Sequence, residues 1–144
     1  MSYKVIVGVD GSPHGAAALR WALADAAEHA GEVTAVLAWQ LPFLSIPGAF
    51  DRDELAQTYK EFLLKTVAEI APAPEVPVRT LVAEGDPIEA LIAAAEDADL
   101  LVLGTRGRSP FAGLLLGSVS QACAAHARCP VVLVKRDSFA APQA

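Results

Sequence analysis

The sequence predicts an α/β protein built on an open, doubly wound parallel sheet of five strands with four helices. The first observation behind this prediction is that five compact apolar runs alternate with four amphipathic stretches along the 144 residues. Strict alternation of strand and helix is typical of parallel sheets with right-handed crossovers. The second is that the apolar runs are almost continuous. Strands of a parallel sheet are buried on both faces and therefore show little polar alternation.

The five predicted strands are short and mostly rich in Val, Leu and Ile, which pack well in sheets. They cover residues 3–9, 33–39, 78–83, 100–103 and 131–134. In an open sheet of this kind, ligands bind outside the carboxyl ends of the strands, at the point where the strand order reverses. The loops that follow the first four strands are therefore the places where a functional site is expected.

Each predicted helix begins at a capping signal. The first begins at Ser12, with Pro13 in the first helical position, and is expected to end at Gly31. The other three begin at capping boxes, namely Asp51 to Glu54, Asp86 to Glu89 and Ser118 to Gln121. In such a box, a side-chain oxygen accepts a hydrogen bond from a backbone N–H of the first turn, which has no partner within the helix.

Composition and charge exclude several classes of protein. A chain of this length forms one domain with a hydrophobic core, and 53% of its residues are hydrophobic. We expect the domain to span residues 1–136 and residues 137–144 to form a flexible C-terminal tail. The net charge of −6 argues against binding to nucleic acid or to an anionic membrane over a broad surface. The charge is uneven, with a net −10 up to Asp99 and a net +4 from Leu100 onward.

Signals for targeting and for metal binding are lacking in the sequence. The apolar run at residues 5–9 is too short for the core of a signal peptide, and no apolar run is long enough to span a membrane. We therefore expect a cytoplasmic protein. Cys123 and Cys129 lack the spacing of a metal site and are expected to be reduced, largely buried thiols. His126 is expected on the apolar face of the last helix.

The most informative segment is the loop between the fourth strand and the fourth helix. Gly104, Gly107 and Gly117 permit the backbone conformations that turn several N–H groups toward one anion. The loop ends at a helix N-terminus, which adds donors and the positive end of the helix dipole. Arg106 and Arg108 bring positive charge to the same place. The segment therefore predicts a phosphate-binding site.

The glycine spacing separates this loop from the common nucleotide motifs. It is not a Walker A loop, because no Lys stands at the required position, and no Gly-x-Gly-x-x-Gly follows the first strand. The pattern Gly104-x2-Gly107-x9-Gly117-Ser118 instead resembles the signature of the universal stress protein family, in its ATP-binding branch. The resemblance covers nearly the whole chain. Further segments that resemble the family's pattern, in the family's order, are residues 6–12, 84–87 and 129–132.

The resemblance implies a Rossmann-like, HUP-type fold with strand order 3-2-1-4-5. It also implies that ATP binds at the carboxyl ends of the strands, with Mg²⁺ or Mn²⁺ as the ion that could accompany it. A homodimer through the last strand is implied as well. That strand comprises Val131, Val132, Leu133 and Val134. An unprotected edge strand invites such pairing, and the alternative is a monomer whose edge is guarded by Lys135 and Arg136.

The resemblance also implies roles for individual residues. Asp10, at the end of the first strand, would help to hold the nucleotide on its ribose or metal side, and no other side chain is expected to bind a metal. The backbone of Ala38 would contact the adenine edge, with Val82 or Ala83 as an apolar wall. The full predicted binding set is Asp10, Gly11, Ser12, Ala38, Ala83, Gly104, Thr105, Arg106, Gly107, Gly117, Ser118, Val119 and Ser120.

Several of these residues have a structural alternative that the sequence leaves open. Asp10 could be a turn carboxylate that caps the next helix, and Ser12 could be an N-cap rather than a ligand contact. Gly11 could serve the turn or the ligand. Ser118 is expected both to cap the fourth helix and to face the phosphate. Arg106 could be a solvated loop charge.

The predicted site is better suited to binding than to catalysis. Phosphoryl transfer requires a metal clamp and groups that stabilise charge, and the loops offer no Walker lysine and no pair of carboxylates. Taken with the resemblance, this predicts a nucleotide-dependent sensor or regulator in the stress response, and at most a weak ATPase. The alternative is a nucleotide-free dimeric interaction protein of the same fold, which the intact glycine spacing disfavours. The apolar segment at residues 40–50 is expected to cover either the pocket or the dimer surface.

Overall fold

Strands and helices alternate along the chain, as the apolar runs predicted. A computed structural model describes residues 2–41, 48, 50–106 and 116–135. The elements in this part of the chain are β1 (Lys4–Gly8), α1 (Pro13–Glu28), β2 (Glu32–Trp39), α2 (Arg52–Ile70), β3 (Val78–Glu84), α3 (Pro87–Ala94), β4 (Leu100–Gly104), α4 (Ser118–His126) and β5 (Val131–Val134). Every strand limit lies within one residue of the predicted one. The predicted tail at 137–144 and most of the segment at 40–50 lie outside the described residues.

The strands form one parallel sheet in the order β3-β2-β1-β4-β5, which confirms the order that the resemblance implied. β1 lies at the centre, where Val5 is paired with Val33 of β2 and with Leu100 of β4. The chain builds outward from β1 to β3 and then returns to the other side of β1 as β4. The strand order therefore reverses between β1 and β4, where an open α/β sheet leaves a crevice for a ligand.

The helices cover both faces of the sheet and bury a core on each. On one face α1 and α2 pack against the sheet, with Leu19 and Leu63 completely buried. On the other face α3 and α4 pack against it, with Leu91 and Cys123 buried. The central strands therefore need apolar side chains on both faces, which explains why their runs are almost continuously hydrophobic.

α1 begins as predicted but ends differently. The Ser12 hydroxyl accepts a hydrogen bond from the N–H of Gly15 at 3.1 Å, so Ser12 is the N-cap. The predicted end at Gly31 is wrong, because the helix ends three residues earlier and Ala30 takes the left-handed backbone conformation, with a φ of 51°. Gly31 is still required, because a β-carbon there would collide with the carbonyl of Tyr3.

Three further predictions, on the edge strand, on His126 and on membrane-spanning helices, can be compared with the structure. β5, the predicted dimer strand, is an edge strand of the sheet. His126 is exposed rather than packed, because α4 turns Ser120 and Cys123 into the protein and leaves its last turn at the surface. Within the described ranges, none of the helices combines the length and the apolar character needed to cross a membrane.

Candidate functional site

A cavity of about 320 Å³ lies at the carboxyl ends of β1, β2 and β4, where the strand order reverses. The first residues of α3 and α4 also line it, because both helices begin at this edge of the sheet. Open α/β sheets bind their ligands at this place. The cavity is therefore the candidate functional site.

The turn after β1 positions Asp10 at the cavity. Its Oδ1 accepts hydrogen bonds from the backbone N–H of Ser12 at 2.9 Å and from the Ser12 hydroxyl at 2.5 Å. Gly11, between them, has a φ of 83°, a conformation that favours glycine. Asp10 is therefore a turn carboxylate and also lines the cavity, but it does not cap the next helix, because the N-cap of α1 is Ser12. Neither Gly11 nor Ser12 is among the described lining residues.

Hydrogen bonds join the end of β4 to α4 and to β5. The Gly104 carbonyl accepts a hydrogen bond from the Ser120 hydroxyl at 2.7 Å. The Thr105 N–H donates to the carbonyl of Val134 at 3.0 Å, and the Thr105 carbonyl accepts from the N–H of Gly117 at 2.7 Å. The last of these bonds brings together the two ends of the loop that leads from β4 to α4. The strand exit and the helix start are consequently held side by side.

The start of α4 corrects the predicted capping role of Ser118. The N-cap is Gly117, with φ −72° and ψ 164°, and Ser118 is the first helical residue, with an exposed side chain. Its hydroxyl does not cap the helix, because a capping side chain comes from the residue that precedes the first turn. Gln121, which was expected to complete the capping box, donates its Nε2 to the Leu116 carbonyl at 3.1 Å.

The absence of a side-chain cap leaves backbone donors of α4 at the cavity. The Gln121 N–H donates to the Gly117 carbonyl at 3.0 Å, so the N–H groups of Ser118, Val119 and Ser120 precede the intrahelical hydrogen bonds. All three residues line the cavity. The other helices are capped by the side chains of Ser12, Asp51 and Asp86. α4 therefore turns the positive end of its dipole toward the cavity.

The cavity combines a polar end with apolar walls. Among the described lining residues, Asp10 and Arg106 are the only ionisable side chains. Arg106 follows Thr105, whose carbonyl is hydrogen-bonded to the start of α4. The walls are aliphatic and include Val36, Leu37, Leu91 and Leu103. Such a cavity suits a ligand with a flat apolar part and an anionic part.

The cavity brings together most of the predicted binding residues. Those that line it are Asp10, Ala38, Gly104, Arg106, Gly117, Ser118, Val119 and Ser120. Those that are not among its described lining residues are Gly11, Ser12, Ala83 and Thr105. Ala83 is separated from the cavity by the strand order, since β3 lies one strand beyond β2 and Ala83 is paired there with Ala38. Gly107 and Arg108 lie outside the described residues.

Sequence reasoning missed the contributions of α3 and of the strand interiors. Pro87 and Leu91 line the cavity, as do Gly8 and Leu103. A β-carbon at Gly8 would lie 2.8 Å from the Leu103 side chain and 3.3 Å from that of Leu91, so a larger residue there would require the ends of these side chains to shift. A signal for α3 was present, because Asp86-Pro87 starts the helix directly after β3 and therefore at the carboxyl edge of the sheet.

Comparison with known proteins identifies a family over nearly the whole chain. The model of the Universal stress protein family matches residues 1–135. A universal stress protein of Thermus aquaticus is 37% identical to this chain over 138 residues. These residues cover 94% of this chain and 100% of the relative, so the similarity extends over nearly the whole of this chain and all of the relative.

Two solved structures are similar over nearly the full length. A universal stress protein in complex with cAMP is 28% identical, with a TM-score of 0.70, and the match covers 94% of this chain and 98% of that one. The universal stress protein from Archaeoglobus fulgidus in complex with dAMP is 25% identical, with a TM-score of 0.65 and the same two coverages. The similarity therefore extends over nearly the whole fold.

Proposed function

The chain belongs to the universal stress protein family, and from that premise we propose that its cavity binds an adenine nucleotide, specifically ATP. In this role the protein is a nucleotide-dependent sensor or regulator in the stress response. The observation that carries the proposal is the uncapped start of α4 in the same cavity as Arg106. The two similar proteins in complex with cAMP and dAMP support an adenine nucleotide as the ligand, and the glycine pattern of the β4–α4 loop supports ATP.

The charges of the cavity favour one orientation of the ligand. The phosphates would lie at the first turn of α4, where the N–H groups of Ser118 and Val119 and the guanidinium of Arg106 favour an anion. The base would lie toward β2, with the backbone of Ala38 at the adenine edge and Leu91 against the ring. Both residues line the cavity.

Asp10 could hold a divalent ion only together with the phosphates. Its Oδ1 already accepts two hydrogen bonds from Ser12. Within the described part of the chain, no three His, Cys, Asp or Glu side chains are grouped so that they could hold a metal ion. Mg²⁺ is commonly bound by one or two carboxylates together with substrate phosphates and water. The site therefore fits Mg²⁺ or Mn²⁺ that arrives with the nucleotide, with Asp10 as its ligand.

We expect binding without efficient turnover. Phosphoryl transfer needs groups that stabilise the transferred phosphoryl and others that position the nucleophile. Asp10 and Arg106 are the ionisable side chains that the described lining offers for these tasks. The proposal is thus a sensor with slow or no hydrolysis, in one domain over residues 1–136. A cytoplasmic location and a homodimer through the edge strand β5 are parts of the same proposal.

Calorimetric titration of the purified protein with ATP, AMP, cAMP and GTP, with and without Mg²⁺, tests the proposal. Binding of ATP, with GTP about tenfold weaker or more, supports an adenine-specific site; a tenfold difference corresponds to about 1.4 kcal/mol. If no adenine nucleotide binds, the proposal is wrong and the protein is better described as a nucleotide-free interaction protein of the same fold.

Two arginine variants test the placement of the phosphates. Arg106→Ala removes the one cationic side chain among the described lining residues. Arg79→Ala is a charge-matched control, because Arg79 is exposed and pairs with Glu32 at 3.9 Å at the opposite end of the sheet. We expect Arg106→Ala to weaken ATP binding by about tenfold or more, since a hydrogen bond to a charged group contributes roughly 1.5–3 kcal/mol. Adenosine should bind equally to all three proteins. Equal ATP affinity in all three would refute the placement.

A further inference from the structure

Ser120 lies at the cavity, but its hydroxyl proton is already donated in a hydrogen bond. The residue is only 3% exposed, and its Oγ donates to the Gly104 carbonyl at 2.7 Å. A serine hydroxyl has a single proton to donate. Ser120 therefore cannot donate to a phosphate through its side chain while this bond is made, although the sequence predicts it as a binding residue.

The bond to Gly104 is made at the point where the sheet opens. Gly104 ends β4, two residues beyond the last pair between β4 and β1, which joins Val102 to Val7. β1 itself ends at Gly8. The two central strands have separated at this level, and the Ser120 hydroxyl supplies a donor to the strand end. The Gly104 residue is half-buried, and loss of the donor would remove a hydrogen bond that stabilises this turn, so the bond holds the helix turn to the strand.

A second hydrogen bond holds the other end of the same turn. The Gly117 N–H donates to the Thr105 carbonyl at 2.7 Å. Two successive carbonyls of the β4 exit are thus bonded to the first and the last residue of the segment 117–120. The N–H groups of Ser118 and Val119 lie between these two attachment points, and both residues line the cavity. Their direction is set by the two bonds.

We propose that Ser120 is a positioning residue for the phosphate. It holds the first turn of α4 so that the backbone N–H groups of Ser118 and Val119 face the anion, and its own side chain does not bind the ligand. This role rests on the proposed nucleotide binding. Donors that are already oriented bind more strongly than mobile ones, because no ordering is required when the ligand arrives. Loss of the hydroxyl should therefore weaken the phosphate contacts and leave the base and ribose contacts unchanged.

Calorimetric titrations with AMP and with adenosine test this role, because the two ligands differ only in the phosphate. We expect Ser120→Ala to weaken AMP binding by about tenfold or more, since small displacements of a positioned group have large effects, while adenosine affinity stays unchanged. Ser120→Thr keeps the hydroxyl and should restore AMP binding. Thr58→Ala is the matched control, because the Thr58 hydroxyl also donates to a backbone carbonyl, that of Glu54 at 2.9 Å, on the exposed side of α2.

The outcomes distinguish the positioning role from the alternatives. The role is overturned if Ser120→Ala binds AMP as the wild type does, or if it loses AMP and adenosine equally. Should the extra methyl group of Ser120→Thr not fit, amide hydrogen exchange in ligand-free Ser120→Ala decides the matter, read at Gly117 and Gln121, whose N–H groups are hydrogen-bonded at this turn. Faster exchange than in the wild type supports the role, and unchanged exchange overturns it. If the wild type binds no adenine nucleotide, the proposed function fails as well.

Discussion

Gly104 packs directly against His14 in the first turn of α1. A β-carbon on residue 104 would lie 2.6 Å from the β-carbon of His14, and 2.8 and 2.9 Å from its backbone carbon and oxygen. The His14 Nδ1 also lies 3.5 Å from the hydroxyl of the next residue, Thr105. Gly104 is therefore required for the packing of α1 on β4. The sequence motif singles out Gly104 for a different reason, the backbone conformation of the glycine loop.

Gly104→Ala should destabilise the protein and weaken nucleotide binding. The added methyl group meets backbone atoms of His14, which cannot rotate away, so we expect a loss of roughly 1–3 kcal/mol in the free energy of unfolding, as for other overpacked sites. Urea unfolding measures this. Thr58→Ala, on the exposed side of α2, is the control and should leave nucleotide affinity unchanged. A Gly104→Ala protein as stable as the wild type would refute the contact.

The strands and the helix starts could be predicted because each depends on neighbouring residues. Apolar runs marked the strands, and Ser12, Asp51 and Asp86 accept the expected capping bonds. The end of α1 could not be predicted in this way. Glycine is the usual residue with positive φ after a helix, but here Ala30 has the positive φ, and Gly31 is instead the residue whose β-carbon would collide with Tyr3.

The residues of the candidate site could be predicted at the β1 turn and at the two ends of the glycine loop, because a sequence motif marks each of these places. The wall formed by Pro87 depends on where α3 crosses the sheet, and the position of Ala83 one strand beyond β2 depends on the strand order, so neither follows from local pattern. The predicted capping role of Ser118 is wrong because α4 starts one residue earlier than the capping-box spacing indicates, with Gly117 as the N-cap and its N–H bonded to the Thr105 carbonyl.

Ala30→Gly should stabilise the protein. The Ala30 N–H donates to the Ala27 carbonyl at 3.3 Å and the Gly31 N–H to the Ala26 carbonyl at 2.8 Å, an arrangement in which the residue with positive φ is usually glycine. Removing the left-handed strain should add roughly 1 kcal/mol to the free energy of unfolding in urea. Ala124→Gly, at an exposed position inside α4, should instead destabilise by about 0.5–1 kcal/mol. A loss of stability in both variants would contradict this account.

Alkaline pH should destabilise the protein through Tyr3. Burial raises the pKa of Tyr3 from 10.0 to about 12, together with the hydrogen bond that its hydroxyl donates to Asp25 and the negative charges of Asp25 and Asp99. The folded pKa lies above the unfolded value. The contribution of Tyr3 to stability is therefore complete below about pH 10 and is lost as the pH rises from about 10 to about 12.

Tyr3→Phe provides the comparison for this pH dependence. The variant cannot ionise at residue 3, so its free energy of unfolding should decline less between about pH 9 and pH 11 than that of the wild type. Urea unfolding at several pH values measures both curves. Parallel curves for the two proteins would mean that ionisation of Tyr3 is not linked to folding.

The two thiols should react slowly with an aromatic disulfide reagent in the native protein. Cys123 is fully buried and Cys129 is half-buried, and burial raises the pKa of both thiols. The thiolate is the reactive form, so both thiols are poor nucleophiles near neutral pH. Reaction of the buried Cys123 also requires α4 to open and expose it to the reagent. In a Cys129→Ser protein we expect Cys123 to react at least about a hundredfold more slowly in buffer than in urea. Equal rates would mean that α4 does not pack on the sheet, and the hydrogen bond from Ser120 to Gly104 would then be lost with it.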